Sequence, residues 1–174
     1  MTKVTLVGAG GKMGVRLTRN LMASPYDVSY LEVSPEGIER VRQNGVSVSS
    51  AEEAIPDADI VIFAVPDVLI GKVVSQYVPR MKSGAMGMCL DPAAPLAGHL
   101  HPREDISYFA THPSHPSVFN WEPIEKAHYH FFGGIAAKQT IVCALIQGKE
   151  EDYARGEALA RTIYGPVTKS YRIT

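Results

Sequence analysis

The chain has 174 residues, which is room for one domain of the usual size of about 100 to 200 residues. Hydrophobic residues make up 45% of the chain and charged residues 20%, a composition typical of a folded protein and not of a disordered one. The 17 lysines and arginines nearly balance the 18 aspartates and glutamates, and the net charge of -1 gives no basic field to favour nucleic acid or an anionic membrane surface as a partner.

Short apolar strands alternate with amphipathic helices along the whole chain. The run at 60–65 is apolar on both faces, as a central parallel strand is when helices cover both sides of its sheet. The predicted strands cover residues 4–7, 28–31, 60–65, 85–90, 106–111, 140–146 and 167–172. The predicted helices cover residues 12–23, 34–44, 52–55, 68–78 and 151–164. This order predicts an α/β fold, a doubly wound, mainly parallel Rossmann sheet with helices on both faces.

Residue types mark several helix boundaries. Ser34 is a favourable N-cap, Pro35 suits a first helical position, and Gly45 suits the stop after residue 44. We expect the short helix at 52–55 to end before Pro56, because proline removes a backbone donor.

A glycine-rich turn joins the first strand to the first helix. Its first glycine allows a tight turn, the middle ones let backbone N–H groups approach phosphate oxygens, and the last lets the helix lie close to the strand. The spacing is G-x-x-G-x-x-G, one residue longer than the common dinucleotide pattern. The turn predicts a dinucleotide site, the alternative being a turn used only for packing; its residues are Gly8, Ala9, Gly10, Gly11, Lys12, Met13 and Gly14.

Glu32 follows the second predicted strand, where a carboxylate can accept the ribose hydroxyls of an adenosine and would repel a 2'-phosphate. No basic residue follows it at once, so we expect NAD as the cofactor in preference to NADP. The alternative is a solvated acid at a strand end. Ala64, Val65 and Pro66 end the central strand, and Asp91 follows the next one. Ligands bind outside such strand ends, so these four residues are further candidates for cofactor contact.

Two stretches, 91–103 and 112–127, are long irregular segments that favour a binding role, or alternatively a mobile surface excursion. His112 directly follows the predicted strand 106–111. Its imidazole can take a hydroxyl proton at neutral pH, orient the substrate, or only stabilise the loop. His115 and Asn120 are candidate substrate contacts in the same loop.

The six histidines form three close pairs, which raises the question of a metal site. None of the pairs has the i, i+4 spacing of a helical metal motif, no cysteine lies nearby in the sequence, and prolines surround two of the pairs, so we expect no metal. Lys138 and Arg103 are candidate counter-ions for a substrate carboxylate, the alternative being solvated surface charges. Cys89 and Cys143 lie in apolar segments and are expected to be buried thiols of a reduced compartment. The chain shows no membrane span and no signal peptide, so a cytoplasmic protein is expected.

The glycine turn, the run Asp57 to Pro66 and the His112-Pro113 pair together resemble the 6-phosphogluconate-dehydrogenase-like superfamily. Three later segments, 91–94, 111–120 and 132–139, look most like the D-apionate oxidoisomerases of that group. The resemblance implies an NAD(P)-binding Rossmann domain followed by a helical domain that completes the site and forms a homodimer. The chain ends where that helical domain would begin, so we expect residues 1–174 to be the Rossmann domain without it.

The resemblance implies an oxidoreductase that passes hydride from a branched sugar acid or hydroxy acid to NAD, with rearrangement of the carbon skeleton. The residues themselves support only a nucleotide-dependent oxidoreductase acting on a small polar hydroxy compound. The alternatives are a module that senses NAD without turnover, and an enzyme similar to dihydrodipicolinate reductase or prephenate dehydrogenase. A Lys-x-Asp-x-Pro-Ser-Gly stretch of the dihydrodipicolinate reductase type is missing.

Overall fold

A computed structural model of the chain describes residues 1–114, 123–129 and 139–174. In these residues, seven strands form one sheet in the order β2-β1-β3-β4-β5-β6-β7. Neighbouring strands run parallel except β5 and β6, which are antiparallel. The strands are β1 (Lys3–Val7), β2 (Asp27–Leu31), β3 (Ile60–Phe63), β4 (Met86–Cys89), β5 (Ser107–Ser114), β6 (Gln139–Gln147) and β7 (Val167–Arg172).

Seven helices connect these strands in the described residues. They are α1 (Lys12–Met22), α2 (Pro35–Gln43), α3 (Ala51–Asp57), α4 (Asp67–Tyr77), α5 (Ala93–Leu96), α6 (Glu125–His128) and α7 (Glu150–Ile163), with a 3-10 turn at Val78–Arg80 after α4. Alternate side chains of the strands enter two separate cores, as the two-residue period of a strand requires. One core joins the sheet to α1, α2 and α7, and the other joins it to α3 and α4. The predicted doubly wound, mainly parallel sheet is confirmed.

The predicted caps of α2 are confirmed. Ser34 is the N-cap and its hydroxyl accepts a hydrogen bond from the backbone of Gly37 at 3.1 Å. Pro35 is the first helical residue, and Gly45 ends the helix with a φ of 84°. That φ lies in the left-handed region, where glycine has no side chain to clash.

Two predicted boundaries next to prolines are wrong. Helix α3 continues through Pro56 to Asp57. The proline costs the helix one backbone hydrogen bond, to the carbonyl four residues earlier, and that loss falls in the last turn. Strand β3 ends at Phe63, so Ala64 and Val65 leave the sheet. The backbone N–H of Ala64 still donates to the carbonyl of Val7 at 2.9 Å, and the chain then diverges to pass over the glycine turn.

The prediction that His112 follows a strand is also wrong, because β5 continues to Ser114 and contains it. The reason is the antiparallel partner β6, in which Val142 lies opposite His112 and Ile141 opposite Pro113. Strand β4 ends opposite Ala110, so β5 is paired on one side only from there onward. A proline, which has no N–H to donate, is tolerated at such a half-paired position.

Both cysteines are free and buried, as predicted. Burial raises the pKa of the Cys89 thiol to about 12, with a smaller contribution from the negative charge of Asp91. The thiol is therefore protonated at neutral pH and behaves as a small apolar side chain. Among the helices that the structure describes, none is long and apolar enough to cross a membrane.

Candidate functional site

The order of the strands creates a crevice at one edge of the sheet. From β1 the chain moves outward to β2, and it then returns to place β3 on the other side of β1. The loops after β1 and β3 therefore diverge, and ligands of open α/β sheets bind at such a point, outside the carboxyl ends of the strands. The glycine turn follows β1, and Ala64, Val65 and Pro66 follow β3.

Two cavities occupy this crevice and share one wall. The first has a volume of about 450 Å³ and the second of about 400 Å³. The shared wall consists of Gly11, Ala64, Val65 and Pro66. The first cavity is further lined by Gly8, Glu32, Ser34, Arg40, Lys72, Gln76 and Tyr77. The second is further lined by Lys12, Met13, Asp67, Ile70, Asp91, His112 and Pro113. Two adjoining cavities with a glycine turn between them match the two halves of a dinucleotide.

Two glycines of the turn bring the turn and its helix close to neighbouring backbone. Gly8 has a φ of 83°, and its N–H donates to the carbonyl of Leu31 at 2.9 Å. A side chain at Gly8 would collide with the carbonyl group of Ala64. A side chain at Gly14 would collide with the carbonyl oxygen of Gly8 and lie 2.6 Å from the carbonyl carbon of Ala9. The roles predicted for the first and last glycines agree with this geometry.

Gly10, the middle of the turn, is fixed from both sides by residues of the next βα unit. Its N–H donates to Glu32 Oε2 at 2.9 Å, and its carbonyl accepts from Arg40 Nε at 2.6 Å. A side chain at Gly10 would collide with the backbone of Gly37 in α2. Sequence analysis missed Arg40 and Gly37, since nothing in a linear pattern pairs these α2 residues with the turn.

The start of α1 fits a pyrophosphate. The N–H of Gly10 is taken by Glu32, and that of Gly11 donates to the carbonyl of Gly8 at 3.0 Å. The first bond along α1 is from Val15 N to Gly11 O, at 2.9 Å. The N–H groups of Lys12, Met13 and Gly14 therefore have no acceptor within the helix and are available at its positive end. The first turn of α1 contains no acidic residue to repel an anion.

Glu32 has one carboxylate oxygen fully engaged and one partly open. Oε1 accepts from the N–H of Val33 at 2.8 Å and from both the N–H and the hydroxyl of Ser34 at 3.0 Å. Among the residues that the structure describes, Oε2 accepts from the N–H of Gly10 alone. Partial burial opposes ionisation, but the bonds from Ser34, Val33 and Gly10 outweigh it and hold the pKa of Glu32 below its ordinary value. The carboxylate is ionised at neutral pH, and Oε2 has capacity for one further hydroxyl.

The second cavity contains a histidine and carboxylate pair. His112 Nε2 lies 3.6 Å from Asp91 Oδ2, and both side chains are partly exposed to the cavity. Asp91 is held in place by its other oxygen, Oδ1, which accepts from the N–H of Ala93 at 2.7 Å at the start of α5. An imidazole beside a fixed carboxylate can take a proton and be stabilised as a cation. The sequence predicts Asp91 only as a cofactor contact, and its position beside His112 is seen only in the structure.

Of the four remaining candidates from the sequence, the structure describes Arg103 alone. His115, Asn120 and Lys138 are outside the described residues. Arg103 does not line either cavity; its guanidinium pairs with Asp105 at 2.7 Å and donates to the carbonyls of Val78 and Met81 at 2.7 and 2.6 Å. Within residues 1–114, 123–129 and 139–174, no three or more His, Cys, Asp or Glu side chains are grouped to hold a metal ion.

The fold and the crevice together define a dinucleotide-binding protein of the Rossmann class. Comparison with known families makes the class specific. Residues 3–89 match the NAD-binding domain of 6-phosphogluconate dehydrogenase, and residues 120–174 match the C-terminal part of decarboxylating phosphogluconate dehydrogenase. The chain belongs to this family of NAD-binding proteins, so the predicted superfamily and cofactor are confirmed.

Individual relatives are similar over nearly the whole chain. D-apionate oxidoisomerase of Cupriavidus necator is 51% identical over 99% of this chain, and that of Rhizobium rhizogenes is 49% identical over 100%. A crystal structure of a semialdehyde dehydrogenase NAD-binding protein from Cupriavidus necator, in complex with calcium and NAD, superposes with a TM-score of 0.94 at 50% identity over 100% of this chain. The chain spans 63% to 64% of the length of these relatives.

Proposed function

We propose that the protein is an NAD-dependent oxidoreductase that oxidises a CH–OH group of a small branched sugar acid, with D-apionate as the substrate to test first. The observation that carries the proposal is the His112–Asp91 pair, which lines the second cavity directly across the shared wall from the first. Its similarity to D-apionate oxidoisomerases supports the substrate class and the accompanying rearrangement of the carbon skeleton.

Different residues along the crevice bind different parts of the cofactor. The first cavity takes the adenosine half, with Glu32 Oε2 accepting a ribose hydroxyl, and the free N–H groups at the start of α1 hold the pyrophosphate. Ala64, Val65 and Pro66 form the wall that both halves share. When bound, NAD supplies the hydride acceptor. The negative charge of Glu32 disfavours a 2'-phosphate, which supports NAD over NADP.

The proton of the substrate hydroxyl is taken by His112. Its Nε2 is the ring atom that lies near Asp91, so the Asp91 carboxylate stabilises the imidazolium as it forms. Asp91 in turn is fixed by the backbone of Ala93. Substrate contacts by His115 and Asn120, which the sequence predicts, are part of this proposal. In this mechanism His112 is the general base and Asp91 is its positioning residue.

We also propose the domain content, the cellular location and the oligomeric state of the protein. Residues 1–174 act as one NAD-binding Rossmann domain, which the single sheet running from β2 to β7 supports. The protein is a cytoplasmic homodimer in this proposal, and its two buried free thiols suit a reduced compartment. Light scattering during size-exclusion chromatography tests the dimer.

The test is a direct assay of NADH formation with a panel of sugar acids that includes D-apionate, beside a titration of NAD and NADP. We expect His112→Ala to lower kcat by about a hundredfold or more, as loss of a general base does, and to leave the Kd for NAD unchanged. Asp91→Asn lowers kcat less, because it changes only the group that positions His112. His101→Ala removes a histidine outside both cavities and is the matched control.

Binding of NAD without turnover of any acid would contradict the enzymatic proposal and favour a module that senses NAD. Failure to bind either nucleotide would contradict the assignment of the crevice. A His112→Ala variant with wild-type kcat would leave the reaction in place and remove His112 as its base.

A further inference from the structure

We infer that the side chain of Lys12 binds the carboxylate of the substrate, whereas Lys12 serves the cofactor only through its backbone N–H. The inference rests on the proposed function, since it requires an acid as the substrate. Lys12 is the first residue of α1, its side chain is exposed, and it lines the second cavity with His112 and Asp91. From its place in the glycine turn, Lys12 is predicted by the sequence to be a cofactor-binding residue.

The charged residues that line the second cavity support this role for Lys12. Its described lining contains two carboxylates, Asp67 and Asp91, and the neutral or singly charged His112. An anionic substrate entering such a cavity is repelled unless a cation balances these groups. Within the described lining, Lys12 is the one lysine or arginine.

The pyrophosphate does not require the Lys12 side chain, because backbone N–H groups already provide hydrogen-bond donors for it. Backbone N–H groups at the start of α1, including those of Met13 and Gly14, are free of helical acceptors and lie at the positive end of the helix dipole. Backbone donors of this kind bind phosphates without a side-chain cation. Lys12 lines the second cavity and not the first, so it lies on the same side of the crevice as His112 and Asp91.

A second cation, Arg103, is not available to bind the substrate carboxylate. The sequence predicts Lys138 and Arg103 as candidate counter-ions, and of these the structure describes Arg103. Its guanidinium is paired with Asp105 and donates to two backbone carbonyls, and Arg103 lines neither cavity. Lys12, by contrast, makes no ion pair with any residue in the described part of the chain. A long, unpaired lysine at the mouth of the cavity can turn its ammonium to a carboxylate without losing another partner.

The experiment compares Lys12→Met with Lys12→Arg in the purified protein. Methionine keeps most of the stem and removes the charge, so we expect KM for D-apionate to rise about tenfold or more, as loss of a charge-assisted hydrogen bond predicts. KM for D-apionamide, in which the acid is neutral, stays near its wild-type value. The Kd for NAD, measured by titration without substrate, also stays near wild type. Lys12→Arg restores most of the preference for the acid over the amide.

Arg42→Met is the matched control, because it removes one positive charge from an exposed position of α2 outside both cavities. Two results would overturn the inference while the proposed function stands: an unchanged KM for D-apionate in Lys12→Met, or a rise in the Kd for NAD with the same preference for acid over amide. A wild-type protein that oxidises no sugar acid overturns the proposed function itself, and this inference with it.

Discussion

At the scale of single residues, Glu32 performs a structural task and a binding task with one carboxylate. Four hydrogen bonds hold it, from Gly10, Val33 and twice from Ser34, so it fixes the glycine turn and the start of α2 together. Arg40 lines the same cavity, and its Nε donates to the carbonyl of Gly10. An acid and a cation therefore lie beside the predicted ribose, and the balance between them sets the tolerance for a 2'-phosphate.

We expect Glu32→Gln to raise the affinity for NADP by about tenfold or more, because it removes the repulsive charge while Arg40 is already present to receive a phosphate. Glutamine keeps one carbonyl acceptor for the turn. Fluorescence titration with both cofactors measures the change. The double variant Glu32→Gln, Arg40→Met should lose the gain. An NADP affinity that stays at the wild-type value in Glu32→Gln would contradict the assignment of this carboxylate to the ribose.

At the scale of elements, helix α1 connects the glycine turn to the far half of the sheet. Arg16 donates to the side chain of Gln139 in β6 at 2.6 Å, and its guanidinium lies 5.7 Å from the ring centre of Tyr164. Asn20 donates to the carbonyl of Ile163 at the end of α7 at 2.8 Å. Burial lowers the pKa of Arg16 from its ordinary value. The position of α1 is thus determined at both ends.

The close approach of α1 to the turn can be tested with two helical glycines. We expect Gly14→Ala to lower the free energy of unfolding by about 1–3 kcal/mol, because its methyl group collides with the backbone of Gly8 and Ala9. Gly71→Ala in α4 is the control. Its methyl group lies 3.5 Å from His99, an ordinary contact, so the substitution should be neutral or stabilise by up to about 1 kcal/mol.

Urea unfolding followed by circular dichroism measures both values. Equal stability of the two variants would show that the backbone of the turn moves aside at little cost. It would also remove the structural reason for a glycine at position 14.

Elements that depend on local patterns could be predicted from the sequence, and elements that depend on distant partners could not. The cap of α2 by Ser34 and the buried run of β3 follow from neighbouring residue types. The length of β5 does not, because it is the antiparallel pairing with β6 that carries the strand past Pro113. For the same reason the glycine turn was found as a motif, whereas its clamp by Arg40, thirty residues away, was not. The pairing of His112 with Asp91 likewise exists only in the folded chain.

At the scale of the whole molecule, the crevice lies between two parts of the chain that separate at the point where the strand order reverses. On one side are β1, α1, β2 and α2, and on the other are β3 and α4. The two cavities meet at a wall to which both sides contribute, Gly11 from one and Ala64 to Pro66 from the other. A ligand that spans both cavities therefore contacts both sides at once and stabilises the fold as a unit.

Thermal unfolding tests that arrangement. At a hundred times its Kd, a ligand that binds only the folded state stabilises it by about 2.7 kcal/mol, which for a chain of this size raises Tm by about 5–10 °C. We expect NAD to give this shift and AMP at the same concentration to give a clearly smaller one, because AMP reaches only the first cavity. Arg42→Met, with its change outside the crevice, should show the same difference. If AMP raised Tm as much as NAD, the second cavity would add nothing to cofactor binding, and the division of the crevice into two cofactor halves would be wrong.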